Sequence, residues 1–483
     1  MDLEPKIYRS STSGKSTRAN NSDCDCDCDC ACSYDVLEIL ENNLNSNVFM
    51  QSKVRRLYLT ADYQVLFNPT MGRDVVVVND IAYDIWNSFQ KPMVLELLPS
   101  PDYEIAVKMI QTGLLESEKD ALTACNPVRE TLSVWLHITN NCNLRCTYCY
   151  VNKTNDHMSL ETGMAAIDAA FRSALAGGFR KVTLKFAGGE PTLRLDTVFQ
   201  LHAYGLQVAA RKEIELDAVI LSNGVNLSQE NMDAIQARGL RLMLSIDGLG
   251  IAHDAQRPFL GGQGSYEKVW KALERALHSG LRPFISITVT DESVQDLPNL
   301  ISQLLPMGLP FNLNFARPVV SGKLPDNQKM IAGLRETFRV IEANLPEYSL
   351  LGGVLDRSFF STAHEQPCGV GESYLVVDHR GQVASCQMSL GQSVTDIYAD
   401  DPLLALKVLG SVKNPPVDEK EGCSQCEWKY MCAGGCPLTA YQATGRYDVA
   451  SPFCEVYKVM YPELLRLEGL RILKYSGALE EIA

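Results

Sequence analysis

The sequence predicts an α/β protein organised as a (β/α)6 partial barrel, with a small winged-helix-like module before it and a Cys-rich domain after it. Three observations carry this reading. Apolar β-type runs alternate with helical stretches across 130–320, a short hairpin with following helices comes first, and seven cysteines crowd the chain after 360.

In chain order, residues 1–46 are polar and contain the run DCDCDCDCAC at 23–32, which buries too little apolar area to offset chain entropy and reads as a disordered tail. Residues 47–120 form the module. Runs 64–68 and 74–78, separated by Pro69 and Gly72, read as a hairpin, and Ile81, Ile85, Trp86 and Phe89 recur at helical spacing. The barrel spans 125–320, with strands at 132–139, 181–186, 217–221, 240–246, 283–289 and 311–315. Helices fall between them at 159–176, 196–211, 228–238 and 265–279. Such units build an open, partial TIM barrel with its reactive residues at the strand C-termini. A linker and helix occupy 321–359, and a loop-rich Cys-rich domain with a short closing helix (461–474) fills 360–483.

Of the 483 residues, 46% are hydrophobic and 21% charged, which suits a soluble protein with a large core. A net charge of −14 argues against a nucleic-acid partner. No run of 18 apolar residues exists, and the first 22 residues lack the apolar stretch of a secretion signal, so a cytoplasmic protein without a membrane partner is expected. Sixteen cysteines in such a setting indicate metal or redox chemistry rather than disulfides. Cys125 stands alone and reads as a small buried hydrophobe.

The first barrel strand runs into NNCNLRCTYCY, which places Cys142, Cys146 and Cys149 in a Cys-x3-Cys-x2-Cys loop. Three soft thiolates can hold three irons of a cubane cluster and leave the fourth open. A zinc site short of one ligand, or free thiols, are the alternatives that the spacing leaves standing. The position after the first strand disfavours both. This loop, with Tyr148 before its last Cys, resembles the radical S-adenosylmethionine superfamily. The resemblance implies that the open iron chelates S-adenosylmethionine, whose reductive cleavage releases a 5′-deoxyadenosyl radical that takes a hydrogen atom from substrate. It also implies an electron donor such as flavodoxin or ferredoxin.

Further residues fit the resemblance. Gly188, Gly189 and Glu190 follow the second strand as the family's GGE motif does; the glycines permit close backbone approach to a ligand, and Glu190 can accept from its ammonium group. Taken alone, the string would be an ordinary turn. Ser222 and Asn223 end the third strand, where the family places ribose contacts. Ser245 and Asp247 end the fourth, and Arg257 follows where related enzymes hold the methionine carboxylate. A solvated surface arginine is the alternative.

Seven cysteines remain: Cys368, Cys386, Cys423, Cys426, Cys432, Cys436 and Cys454. Closely spaced, they could form a zinc ribbon. Their pattern, with CEWKYMCAGGCP at 426–437, resembles the SPASM extension, which implies two auxiliary 4Fe–4S clusters and three clusters in all. By that resemblance Cys423, Cys426, Cys432 and Cys454 hold one complete cluster, and Cys368, Cys386 and Cys436 hold another with one iron open. Tyr374 stands where eight-cysteine relatives have a further Cys.

Sulfatase-maturing enzymes share this plan but place an Asp directly after the residue equivalent to Cys386. Gln387 stands there and cannot serve as a base. The module resembles the element by which peptide maturases capture a precursor's leader as an added strand; a plain winged-helix-like packing domain is the alternative. The expected function is therefore maturation of a ribosomally made precursor peptide, by a Cys thioether or a carbon–carbon bond, with oxidation of Cys or Ser to formylglycine as the alternative. A non-catalytic iron–sulfur electron carrier and a zinc-binding interaction protein are the non-enzyme readings. The 23–32 run could gather metal or resemble a peptide core fused to its enzyme; it reads as a solvated segment without a catalytic role.

Overall fold

A computed structural model of the chain describes residues 4–10, 48–72, 74–117, 130–317, 322 and 324–478. The 23–32 run and Cys125 lie outside the described residues.

The N-terminal module contains β1 (Ile7–Arg9), β2 (Val48–Gln51), β3 (Arg55–Tyr58), β4 (Tyr63–Phe67), β5 (Val76–Asn79), α1 (Asp80–Ser88), β6 (Met93–Val94), α2 (Ser100–Gln111) and β7 (Leu115–Ser117). An antiparallel sheet runs β1-β5-β4-β3, and β6-β2-β7 form a second small sheet. The predicted hairpin is β4–β5, and Asn79 caps α1 by accepting from the Ala82 N–H. Leu66, Val76 and Val78 face the module's own core with Ile85, Trp86 and Ile105. Val65, Phe67, Val75 and Val77 face the main core instead. Two buried faces explain why β5 reads as an unbroken apolar run.

One expectation needs correcting. The reading of 1–46 as a disordered tail fails at its start, because β1 pairs antiparallel with β5, with Tyr8 opposite Val77. Ile7 packs on the module core and Tyr8 on the main core, so alternate side chains of a three-residue strand are both half-buried.

The barrel comprises β8 (Thr131–Thr139), α3 (Leu160–Gly177), β9 (Lys181–Gly188), α4 (Leu195–Lys212), β10 (Glu215–Ser222), α5 (Gln229–Ala237), β11 (Arg241–Ser245), α6 (Ile251–Gln256), α7 (Tyr266–His278), β12 (Phe284–Val289), α8 (Leu297–Leu304) and β13 (Phe311–Phe315). All six strands are parallel and neighbour one another in sequence order, as predicted. Ser159 and Ser228 cap their helices by accepting from N–H groups three residues on.

The remaining elements are α9 (Asn327–Ala343), β14 (Tyr374–Val377), β15 (Gln382–Ala384), β16 (Ser393–Asp396), α10 (Pro402–Leu409), α11 (Lys429–Cys432), α12 (Pro437–Thr444) and α13 (Cys454–Tyr475). The region read as loop-rich thus contains strands. β14 pairs parallel with β8, and β15 and β16 add antiparallel to it, so the six-stranded sheet grows to nine. The closing helix is also longer than predicted. Pro462 suits a first helical turn and hides the two turns before it, yet it sits inside α13. No described helix is long and apolar enough to cross a membrane.

Candidate active site

Every barrel strand delivers residues to one cavity of about 260 Å³ at the C-terminal edge of the sheet. Cys142, Cys146 and Cys149 enter from the loop after β8, Gly188, Gly189 and Glu190 from the end of β9 and the turn after it, Ser222 and Asn223 from the end of β10 and the residue after it, and Ser245 from β11. Arg257, after α6, lines it too. Cys368, Cys386 and Cys436 from the C-terminal region line the same cavity.

Backbone hydrogen bonds hold the cysteine loop, with Leu144 buried at its centre. Arg145 N–H donates to Pro258 O at 2.8 Å and Thr147 N–H to Gln256 O at 3.0 Å. Gly189 N–H donates to Thr139 O at 2.6 Å, and Glu190 N–H to Asn141 O at 2.8 Å. A Cβ on Gly189 would lie 2.2 Å from Asn141 O, and one on Gly188 2.5 Å from Thr139 O. The two glycines therefore serve the approach of β9 to the cysteine loop itself, not only to a ligand.

Glu190 is fully buried. Its Oε1 accepts from Thr192 N–H (3.1 Å), the Thr192 hydroxyl (2.6 Å) and the Ser222 hydroxyl (2.8 Å), and its Oε2 accepts from Asn223 N–H (2.7 Å). Burial pushes its carboxyl up against these four donors. Asn223 Nδ2 donates to Asn143 Oδ1 at 2.8 Å and approaches Cys142 Sγ at 3.7 Å. Glu190, Ser222 and Asn223, expected at the ligand, thus also bind β9, β10 and the cysteine loop to one another.

Tyr148, Asp247 and Arg257 form a buried cluster, with the Tyr148 hydroxyl donating to Asp247 Oδ2 and accepting from Arg257 Nη1. Asp247 Oδ1 accepts from Thr288 N–H at 2.9 Å. Behind it, His253 Nδ1 accepts from Asp247 N–H, and Ser265 Oγ donates to Arg257 O at 2.6 Å. That leaves Ser265 Oγ to accept from His253 Nε2, which fixes a neutral tautomer; burial and the Arg257 charge lower its pKa to about 3. Arg257 Nε is buried with no hydrogen-bond partner among the described residues. A carboxylate at the cavity wall would satisfy it, which fits the expected role.

The thiols fit iron–sulfur ligation. Cys142, Cys146, Cys149, Cys423, Cys426, Cys432, Cys436 and Cys454 are free thiols. Burial raises Cys146 to about 11, with Cys142 and Cys149 close enough to add to it. Lys153 Nζ donates to Cys149 Sγ at 3.0 Å. Cys423, Cys426, Cys432 and Cys454 line a separate small cavity beside Tyr457. Burial and mutual proximity raise Cys423 to about 11 and Cys432 to about 12. Cys436 behaves oppositely: burial raises its thiol, but Arg317 and Arg357 outweigh it and bring it below its ordinary value. Cys142, Cys146, Cys149, Cys368, Cys386 and Cys436 line one cavity and Cys423, Cys426, Cys432 and Cys454 another, and no three His, Cys, Asp or Glu side chains among the described residues converge as one ion requires.

Lys153, Arg317 and Arg357 were not anticipated. Arg317 stands two residues after β13, near the strand end that the barrel rule marks. Arg357 sits at φ 57°, and nothing local in the sequence announces it. The two positions that depart from the family pattern touch each other: the Tyr374 hydroxyl donates to Gln387 Oε1 at 2.8 Å, and Cys386 Sγ lies 3.4 Å from the same oxygen. A polar cleft of about 720 Å³, lined by His137, His157, His379 and Arg380, adjoins the cavity through Tyr150, Val151, Gln387 and Met388.

Residues 136–304 match the radical SAM superfamily. The chain carries a radical SAM domain. Proteins of this superfamily use S-adenosylmethionine and a 4Fe–4S cluster, and this radical SAM enzyme presents the matching thiolate loop at the end of β8. It is similar to the AdoMet-dependent heme synthase of Methanosarcina barkeri, 27% identical over 351 residues, which covers 67% of this chain and 95% of the relative. An uncharacterized protein of Archaeoglobus fulgidus is 22% identical over 349 residues, covering 68% of this chain and 79% of the relative. The solved structure of native anSMEcpe with bound AdoMet and Cp18Cys peptide superimposes with a TM-score of 0.57 at 17% identity, covering 70% of this chain and 99% of that one. That likeness establishes the shared fold.

Proposed function

We propose that this radical SAM enzyme takes a hydrogen atom from a ribosomally made peptide and closes a cross-link, with a Cys thioether as the first choice. One observation carries the reading: Cys142, Cys146 and Cys149 share a cavity with Cys368, Cys386 and Cys436. The first trio would hold the S-adenosylmethionine-binding cluster, and the second an auxiliary cluster with one open iron that can take a substrate thiolate. Cys423, Cys426, Cys432 and Cys454 would complete a third cluster in a SPASM-type domain over 360–483. When bound, the first cluster and S-adenosylmethionine supply a hydrogen-abstracting 5′-deoxyadenosyl radical.

The chain's own residues prepare that site. Arg257 offers Nε to a carboxylate, Lys153 donates to Cys149 Sγ and opposes the upward push of burial on Cys142, and Arg317 with Arg357 stabilise the Cys436 thiolate. The module over 47–120 would take the leader. The solved anSMEcpe complex contains both AdoMet and a Cys peptide, which supports a peptide substrate in this fold. Gln387 counts against formylglycine formation, because an amide cannot accept the substrate proton. To test the proposal, anaerobically reconstituted enzyme is given S-adenosylmethionine, reductant and Cys-rich peptides. We expect 5′-deoxyadenosine and a two-hydrogen mass loss in the peptide; a Cys142→Ala variant should yield neither.

The extended similarity to a heme synthase favours one other reading, action on a tetrapyrrole. A saturable shift of the Soret band on titration with an iron porphyrin would support it over the peptide reading.

A further inference from the structure

The edge of β5 is filled by the chain's own N-terminus. Asn79 N–H donates to Lys6 O at 3.2 Å and Ser10 N–H to Val75 O at 3.1 Å, so the antiparallel alternation makes Tyr8 and Val77 the bonded pair between them. Side chains lock both ends: Asn79 Nδ2 donates to Glu4 O at 2.9 Å, and Val75 N–H donates to Ser10 Oγ at 3.1 Å. Residues 4–10 are thus bound along their length in the manner of a peptide added to a sheet edge.

Farther along the sequence lies a thiol peptide. Cys24, Cys26, Cys28, Cys30 and Cys32 alternate with Asp23, Asp25, Asp27, Asp29 and Ala31. Their order, strand first and cysteines second, is that of a leader and its core. We propose that β1 is a leader carried in cis, and that it tethers the 23–32 run as a substrate of the enzyme's own cavity. This rests on the peptide-maturase reading.

Reach and charge agree. The 14 residues from Ser10 to Cys24 span at most about 46–50 Å, against a radius of gyration of about 23 Å for a folded chain of this length. The 16 residues from Cys32 to Val48 span more. The run carries four carboxylates, and the cavity wall presents three cations beside the buried carboxyl of Glu190: Lys153, which bonds Cys149; Arg317, which pairs with Asp356; and Arg357, which donates to Pro367 O. Each thioether would remove one thiol proton and one carbon-bound hydrogen atom. The hydrogen atom goes to the 5′ carbon released from S-adenosylmethionine, which consumes one supplied electron. Bond formation by the thiolate returns one electron to an iron–sulfur cluster.

The test uses the full chain reconstituted with iron, sulfide, S-adenosylmethionine and reductant. Trypsin should release the fragment 19–53, lighter by pairs of hydrogen atoms and with fewer alkylatable thiols, at a rate per chain unchanged by tenfold dilution. Tyr8→Pro, which removes a ladder N–H, and Ile7→Asp should each slow this at least tenfold while 5′-deoxyadenosine still forms. Without turnover, a fluorescent peptide of residues 4–10 should bind either variant at least tenfold more tightly than the parent chain. An unaltered 19–53 fragment beside a modified external peptide overturns this proposal and leaves the maturase reading intact. So does a rate that falls with dilution. Failure of both the external peptide and S-adenosylmethionine cleavage removes the maturase reading, and equal binding of the labelled peptide to parent and variants removes the tether itself.

Discussion

Gly189 and His253 show how single residues hold the cysteine loop and its supports. A methyl at Gly189 would meet the Asn141 carbonyl oxygen, a backbone atom that can move only if the loop moves. Gly189→Ala should therefore fold but lose roughly four irons per chain, one cubane, after reconstitution, measured by iron analysis. His253 works through protonation. Its folded pKa of about 3 lies below the ordinary 6.5, so the unfolded chain takes up the proton first as pH falls. The stability it contributes is complete above 6.5 and drains away towards 3, by at most about 5 kcal/mol. Between pH 7 and 5.5, urea midpoints should report a loss of about 1 kcal/mol that His253→Gln largely lacks.

At the scale of elements, α13 is the clasp. It begins at Cys454, and the Tyr457 and Tyr461 hydroxyls donate to Asp356 Oδ2 and Arg357 O. It also lies on β4, where a Cβ on Gly469 would come within 2.5 Å of Val65 and 2.9 Å of Leu59. Gly469→Ala should cost about 1–3 kcal/mol by overpacking, read as a lower thermal midpoint with iron content preserved. The six barrel strands were legible because each is an apolar run between helical patterns. β14 to β16 were not: their pairing to β8 is a long-range event, and their residues lie amid cysteines and turns. Spacing and resemblance propose a grouping of the cysteines. Arg357 and the bond between Tyr374 and Gln387 could not be read that way, since only tertiary folding brings them to the cavity.

Across the whole molecule the two C-terminal cysteine groups are linked by one buried cation. Lys420 is 1% exposed, its Nζ donates to Ala433 O at 2.7 Å, and it lies near Cys368, Cys423, Cys432 and Cys436. Burial lowers its pKa while those thiols raise it. Lys420→Met deletes a positive charge between two proposed clusters. Their midpoint potentials should fall, on the order of 50 mV, in a titration followed by electron paramagnetic resonance. An unchanged pair of potentials would show that the ammonium does not sense them.

Because β14 is laddered onto β8, the strand that launches the first thiolate loop and the strand that comes after Cys368 share one continuous backbone lattice. No hinge can open between the two trios without unzipping a buried parallel pair. The gap between the two proposed cluster sites is consequently set by the scaffold, whatever guest occupies the chamber.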